Sequence, residues 1–311
     1  MNMPPERSLV IPAFNESARL ANGFARLAPV LEAWGPETTE VVLVDDGSRD
    51  DTLRVIAQVY GHLPHLKVIQ HETNRGKGAA VRTGWASAAA PHVITADADM
   101  AIVPAHFPAF DTALRAAQFT PGSRTDGSVI RYDSWRRTIA GFAFHQVVAH
   151  YTGTGIRDTQ CGCKGMRLEV ARLFGLLGMI EGFAFDAELF YFATALGLST
   201  QTVLVTWDDV AGSTVRSPSV RKIFSDIRGI PRTRYENPVI VLDRNVDVTT
   251  VRQACIHVRQ RGLVIARREQ DALVIMPRDG GLNAITMANE LGGTLRVGSL
   301  NEYRGATFEA V

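Results

Sequence analysis

Short apolar runs rich in β-branched residues alternate with segments whose apolar positions recur every three or four residues. Ser8–Ala13, Glu40–Val44, Leu66–Gln70 and His92–Ala96 read as strands. Between them, Ser17–Trp34 carries Leu20, Phe24, Leu27 and Leu31 on one helical face, and Asp51–Tyr60 carries Leu53, Ile56 and Tyr60. A third helix opens near Gly76-Lys77-Gly78 and runs to about Ala89, and Pro104–Gln118 reads as a fourth. Strand and helix alternating in this way predict a mostly parallel sheet with crossover helices, an α/β fold.

The middle of the chain is less regular. Asp133–Tyr151 and Ala187–Leu196 read as helices, Thr202–Val205 as a strand, and Val220, Ile223, Phe224 and Ile227 fall at helical spacing. Near Pro238 the pattern changes to Val239–Leu242, a helix over Thr249–Arg261, Leu263–Arg267, Ala272–Met276, a helix over Leu282–Leu291, and Thr294–Val297. That order is β-α-β-β-α-β, a split-βαβ unit for which the ferredoxin-like arrangement is the first expectation. The predicted division is residues 1–236 and a smaller α+β unit over residues 237–311, whose role the sequence leaves open.

Composition narrows the class. The 311 residues are 46% hydrophobic and 21% charged, as in a soluble globular protein, with a net charge of +1. Without a pervasive basic field, nucleic acid is not the expected partner. Charge is uneven locally: Arg216, Arg221, Lys222, Arg228, Arg232 and Arg234 face only Asp226. Three cysteines form no disulfide framework, and Cys161-Gly162-Cys163 lacks zinc-knuckle or thioredoxin spacing, so it reads as a tight loop of small residues in a reducing cytosol. The start is short and polar, and Thr138–Ile156, free of Asp, Glu, Lys and Arg, is broken by His, Gln, Thr and Gly. A cytoplasmic protein without a membrane span is expected, with attachment to a membrane surface left open.

Candidate chemistry sits where strands end. Asp97-Ala98-Asp99 follows the apolar run Val93–Ala96, and residues two apart on a departing strand point the same way. Two such carboxylates can reach one hard cation, which in turn can hold a diphosphate. A second acid-tipped strand, Val41–Asp46, precedes Gly47-Ser48, and two strands delivering acids to one sheet edge is how open α/β sheets build ligand sites.

Four motifs in order, Val10-Ile11-Pro12-Ala13-Phe14-Asn15-Glu16, Val44-Asp45-Asp46-Gly47-Ser48, Asn74-Arg75-Gly76-Lys77-Gly78 and Asp97-Ala98-Asp99, resemble family 2 glycosyltransferases of the GT-A fold. Gly122-Ser123-Arg124, Arg157–Gly162 and Phe183–Leu189 resemble the dolichyl-phosphate β-glucosyltransferase and polyprenyl-phosphate glycosyltransferase branch. The resemblance covers about residues 7–236. It implies an inverting hexosyltransferase using a nucleotide sugar, with UDP-glucose as the first expectation and Mg²⁺ or Mn²⁺ held by Asp97 and Asp99. The metal would neutralise charge on the departing nucleoside diphosphate. Some polyprenyl-phosphate mannosyltransferases place a third ligand two residues after the second acid; Ala101 stands there.

The same resemblance assigns Pro12, Ala13, Asn15, Glu16, Asp46, Gly76, Lys77 and Ala98 to the donor site. It gives Asp46 the base or ribose. Glu16 could accept from ribose hydroxyls, or with Asn15 and Ser17 cap the following helix. Gly76-Lys77-Gly78 opens a helix whose free N–H groups favour an anion or a base edge. Arg124 and Arg131 lie where related enzymes grip acceptor phosphate. A phosphate monoester, with a second pKa of about 6, is mostly dianionic at neutral pH and needs holding more than deprotonation. A hydroxyl acceptor would require a carboxylate base, for which Asp186 and Asp158 compete; either could instead be structural. The resemblance implies that Trp135–Tyr151 and the basic helix around Ser219–Arg228 meet a bilayer or the isoprenoid chain; the first could instead serve core packing or a homodimer interface, and the second could grip donor or acceptor phosphate. The alternatives are the same donor chemistry on a soluble hydroxyl or phosphate acceptor, and a non-catalytic nucleotide-sugar-binding regulator.

Overall fold

The run Val41–Val44 is apolar at every position, which suits a strand only inside a sheet covered by helices on both faces. It lies in β2 (Thr39–Asp45), buried throughout. The computed structural model describes residues 4–124, 146–208, 220–233, 235–242, 247–257, 263–267, 272–276, 287–288, 290–291, 293–304 and 306–311.

Around β2 stand β1 (Arg7–Ala13), β3 (Leu66–Gln70) and β4 (His92–Thr95), all parallel to one another. The sheet continues through β6 (Lys164–Arg167), β5 (Phe119–Ser123) and β7 (Val203–Leu204), giving the order β3-β2-β1-β4-β6-β5-β7. β6 is antiparallel to both neighbours, so the expected mostly parallel sheet carries one reversed strand. Alternate residues divide two cores. Leu9, Ile11, Val41 and Leu43 pack with α1 (Leu20–Trp34), α2 (Thr52–Tyr60) and α4 (Phe107–Ala113). Val10, Val42 and Val44 pack with α3 (Lys77–Ser87) and, further along, α6 (Leu168–Leu177) and α7 (Phe185–Leu196). Strand order reverses between β1 and β4, and the crevice beyond their carboxyl ends is where open α/β sheets take ligands.

Several boundaries differ from the sequence expectation. The helix read from Ser17 begins at Leu20, because Ser17 is tied to the Asp50 carboxylate by its backbone N–H and hydroxyl. The helix read over Pro104–Gln118 is a 3₁₀ turn, Pro104–His106, and the short α4; the chain then enters β5. β5 and β6 contain Pro121, Gly122 and Gly165, which mimic turn signals. Here the glycines serve close approach: an added Cβ at Gly165 would lie 2.4 Å from Thr120 Oγ1, and one at Gly122 2.7 Å from Cys161 Sγ. α6 also lies in the stretch that reads as irregular. Of the helix expected over Asp133–Tyr151, residues 146–152 are helical (α5) and residues 133–145 lie outside the described residues. α8 (Val220–Gly229) forms where apolar spacing predicted it.

The C-terminal sheet contains β8 (Glu236–Leu242), β9 (Val264–Arg267), β10 (Ala272–Ile275), β11 (Thr294–Ser299) and β12 (Thr307–Ala310), in the order β11-β8-β10-β9-β12. β10 sits between β8 and β9, and β8 between β10 and β11, the strand order expected of a split-βαβ unit; of the helix expected over Leu282–Leu291, residues 282–286 and 289 lie outside the described residues. β12 is an addition that pairs with β9. One face packs Ile240, Leu242 and Val274 against Val251 and Ala254 of α9 (Val248–His257), with Met287 and Ala288 beside them. The opposite face, with Val239, Val264, Ala266, Leu273 and Ile275, shares a core with Phe174, Phe192 and Leu196 of α6 and α7. Both faces are therefore buried, one of them against the first unit.

Candidate active site

Three loops leave the carboxyl ends of β1, β2 and β4 and are tied to one another before any ligand is considered. Ala13 lies in register with Asp45, and its carbonyl accepts the Asp46 N–H at 2.8 Å. Asn15 takes a left-handed φ of 53°, donates its N–H to Ser48 Oγ and accepts the Arg49 N–H at its side chain. Glu16 N–H donates to Thr52 Oγ1. Asn15 and Ser17 are thus spent on the β2–α2 loop, and α1 has no side-chain cap.

Asp46 is 2% exposed and organises the next loop. Its Oδ1 receives Arg75 N–H at 2.9 Å and faces His71 Nδ1 at 2.7 Å; its Oδ2 receives Gly76 N–H at 2.7 Å and Asn74 Nδ2 at 2.9 Å. Four partners fill the lone pairs of a carboxylate. Where a base or ribose contact is expected, the structure shows a clamp on the loop carrying Lys77. Gly47, at φ 70°, permits this: an added Cβ would lie 2.6 Å from the Thr73 carbonyl carbon. The expectation of free N–H groups opening α3 also changes. Gly78 N–H and Ala79 N–H both donate to the Glu181 carbonyl, at 2.7 and 3.2 Å, and Arg75 pairs with the Glu181 side chain at 3.2 Å. What this helix start presents to the crevice is the Lys77 side chain.

Lys77 Nζ lies 2.5 Å from Asp97 Oδ1. Burial would lower the Lys77 pKa, but Asp97 and Asp186 outweigh it and raise it. Burial would likewise raise Asp97, yet Lys77, Lys164 and Arg124 hold its carboxyl below the usual range. Among the described residues Asp97 Oδ2 accepts no hydrogen bond, and the side chain is 38% exposed. Gly162 lies beneath it: an added Cβ would sit 2.1 Å from Asp97 Oδ2. Ala98 is buried, and its carbonyl approaches Gly23 of α1 so closely that a Cβ there would lie 2.1 Å from the oxygen.

Asp99 accepts from Ala101 N–H at 3.1 Å and from Arg19 at 3.3 Å. Arg19 also pairs closely with Glu16 Oε1, bridging the first loop to the acid turn. Burial, helped by the charges of Asp99 and Asp97, pushes Glu16 up to about 7 despite Arg19. Glu16 Oε2 is buried without a hydrogen-bond partner. An orphan acceptor beside two acids fits a ribose hydroxyl or a water on a cation.

The expected acceptor residues are paired with cations and anions of the protein. Arg124 Nε and Nη2 form a fork on Asp158 Oδ2 and Oδ1 at 2.7 and 2.8 Å, and the Arg124 N–H adds a third bond at 2.9 Å. Burial would raise Asp158, but this fork holds it below the usual range, so Asp158 is not the free base considered for it. Asp186, in the first turn of α7, forms an ion pair with Lys164 Nζ at 2.7 Å without aligned hydrogen-bond geometry. Arg131 lies outside the described residues. Cys161 and Cys163 are buried free thiols, in keeping with the small-residue loop.

Lys164 is the residue sequence reasoning undervalued. It is 3% exposed, in register with Thr95 on β4 and Pro121 on β5, and its ammonium also meets the Cys161 carbonyl. A lysine directly after the small, uncharged run Cys161-Gly162-Cys163 was the available signal. Arg19, His71 and Glu181 gave none, since their roles depend on loops distant in sequence.

Residues 8–174 match the model of glycosyl transferase family 2. Dolichyl-phosphate beta-glucosyltransferase of Drosophila melanogaster is 35% identical over 226 residues, covering 67% of this chain and 68% of its own. That of Mus musculus is 37% identical over 223 residues, covering 66% and 68%. Among solved structures, glucosyl-3-phosphoglycerate synthase from Mycobacterium tuberculosis, in complex with Mn²⁺, UDP and phosphoglyceric acid, superposes with a TM-score of 0.53 at 18% identity, covering 73% and 76%. Its complex with Mn²⁺, UDP-glucose and phosphoglyceric acid gives 0.52 at 18%, covering 73% and 77%. At that identity the likeness concerns the fold, and it agrees with the GT-A expectation. With its acid turn at the switch point of such a sheet and relatives of this identity, the chain is a glycosyltransferase and belongs to glycosyl transferase family 2.

Proposed function

We propose that this enzyme is an inverting, metal-dependent glucosyltransferase that moves glucose from UDP-glucose to a polyprenyl phosphate. Donor and acceptor are those suggested by the dolichyl-phosphate beta-glucosyltransferases it resembles. The observation that carries the acceptor half is the state of the two candidate bases: Asp158 is locked in the Arg124 fork and Asp186 is paired with Lys164. A hydroxyl acceptor would need one of them free; a dianionic phosphate needs neither.

Asp97 and Asp99 fit a hard divalent cation. Both offer oxygen, Asp97 Oδ2 is unpartnered among the described residues, and Gly162 leaves room for its carboxylate. Among the described residues no cluster of three or more His, Cys, Asp or Glu could hold a metal, so phosphate oxygens and water would complete the shell. When bound, Mg²⁺ or Mn²⁺ supplies charge neutralisation for the departing diphosphate. The protein does the rest. Arg19 and Ala101 N–H orient Asp99, Lys77 brings a cation to the diphosphate, and the Asp46 clamp fixes the loop bearing Lys77.

Acceptor phosphate and a bilayer surface both suit α8. Arg221, Phe224, Ser225, Arg228, Gly229 and Arg232 line an open cleft of about 410 Å³. Ile227 is buried in one apolar cluster with Ala187 of α7 and with Ala184, which precedes that helix. No helix among the described residues is long and apolar enough to cross a membrane. The basic lining of α8, suited to an anionic lipid surface, supports a proposed peripheral setting at the cytoplasmic membrane face.

Transfer of radiolabelled glucose from UDP-glucose to a polyprenyl phosphate in detergent tests the reading. We expect activity with Mn²⁺, none with EDTA, and a loss of about 10²-fold or more in Asp99→Ala. Asp186→Asn should keep transfer to phosphate within about tenfold. Robust transfer to a soluble hydroxyl acceptor that Asp186→Asn abolishes would replace the phosphate acceptor with a soluble one.

A further inference from the structure

Lys77 occupies one of the two Asp97 oxygens at 2.5 Å, although Asp97 is half of the carboxylate pair expected to meet a divalent cation. Two cations on one carboxylate repel each other. A second acid follows the residue that packs on the same helix start: an added Cβ at Gly78 would lie 2.8 Å from Phe185 Cβ, and the charge of Asp186, next in the chain, acts on Lys77 together with those of Asp97 and Asp99. Two ion pairs thus serve this edge, Lys164–Asp186 in the interior and Lys77–Asp97 at the crevice.

Their freedom to move differs. Lys164 and Asp186 are buried, and Lys164 is anchored to the Cys161 carbonyl. The backbone at the start of α3 is fixed by Asp46 through Gly76 N–H and by Glu181 through Gly78 N–H. The Lys77 side chain is 22% exposed on a flexible four-carbon stem, ending in a compact charge with three donors. Of the four groups, Lys77 is the one able to change partner without disturbing the core.

We propose that Lys77 is a resident counter-ion of the acid turn, which neutralises Asp97 before the donor arrives, yields it to the divalent cation, and is then retained by Asp186 facing the donor diphosphate. Lys164 serves this exchange as a positioning residue, holding the Asp186 side chain in the second seat through their 2.7 Å ion pair. The inference rests on the metal-dependent reading above.

Removing Lys77 should therefore tighten metal binding in the absence of nucleotide, where a merely supportive lysine would leave it unchanged or weaken it. Mn²⁺ is titrated into wild-type protein, Lys77→Met, Lys77→Gln and Asp186→Asn, with and without UDP, and the free-ion paramagnetic resonance signal is followed. A partly exposed pair is worth up to about 1 kcal/mol, so both Lys77 variants should bind Mn²⁺ up to about fivefold more tightly than wild type without UDP. Asp186→Asn, lacking the second seat, should bind it several-fold more weakly. With UDP present the advantage of the Lys77 variants should vanish, because the diphosphate loses its lysine. Two variants of different shape guard against one that misfolds, and circular dichroism verifies each. Lys77 variants that bind Mn²⁺ no better than wild type, or Asp186→Asn binding it better, would overturn the exchange while leaving metal dependence standing. Absence of Mn²⁺ binding by wild type and variants alike, even with UDP, would remove the metal-dependent reading and this inference with it.

Discussion

In the seven-stranded sheet, β1, β2 and β4 run in one direction, and their carboxyl ends bring Glu16, Asp46 and Asp97–Asp99 to one edge. In the five-stranded sheet every neighbouring pair is antiparallel, so strand ends alternate between the two edges. Both sheets are covered on both faces by apolar side chains. The difference lies in what direction does for chemistry: parallel strands concentrate loops, helix starts and charges in one crevice, and alternating strands disperse them. The first sheet carries buried charge at its rim and tolerates it through paired networks such as Arg124–Asp158 and Lys164–Asp186. The second contributes the face that covers α6 and α7, with Arg172 of α6 donating to the Val311 carbonyl at 2.6 Å.

Three substitutions probe that contrast. The largest expected effect is on the shared core. Leu273→Ala in β10 should cost about 2–5 kcal/mol, and urea unfolding should remain a single transition for the whole chain. Two separated transitions would show that the second sheet folds as its own unit.

Next comes the buried charge of the first sheet. Glu16 is raised from 4.5 to about 7, so the fold favours its protonated form. The stabilisation this provides is complete at low pH and is lost as pH rises through about 7. Relative to Glu16→Gln, the metal-free wild type should lose about 2–3 kcal/mol between those two pH values. A flat difference across that range in calorimetry would remove the buried-charge account of this edge.

The smallest effect is local. Gly162→Ala puts a methyl 2.1 Å from Asp97 Oδ2 and must shift that carboxylate. Transfer should fall about 10–100-fold in kcat/KM with the melting temperature nearly unchanged. Unaltered kinetics would mean that Asp97 does not need its present seat.

Much of the site was legible because its residues sit next to strand ends, and strand ends follow from apolar runs. Asp97–Asp99 after β4 and Asp46 after β2 are of this kind. The order of four motifs then selected the family. What could not be read was which groups pair. Arg124 and Asp158 are 34 positions apart, and whether they bind phosphate and protons or each other depends on the packing of two loops. The Glu181 carbonyl closing the start of α3 is equally remote, and it converts an apparent anion site into a capped helix. β5 and β6 were missed because Pro121, Gly122 and Gly165 signal turns locally, while their actual use is close approach to Thr120, Cys161 and the core.

By itself the sequence determined the parallel α/β frame, the split-βαβ unit and the acids at the rim, since apolar periodicity and strand-end residues are local properties. Tertiary structure alone decided that the second sheet shares its core with α6 and α7. It also decided that Asp158 and Asp186 are paired with cations and that Lys77 rests on Asp97. Those outcomes depend on charges and faces brought together from distant parts of the chain, where the cost of burying an unpaired ion selects the partner.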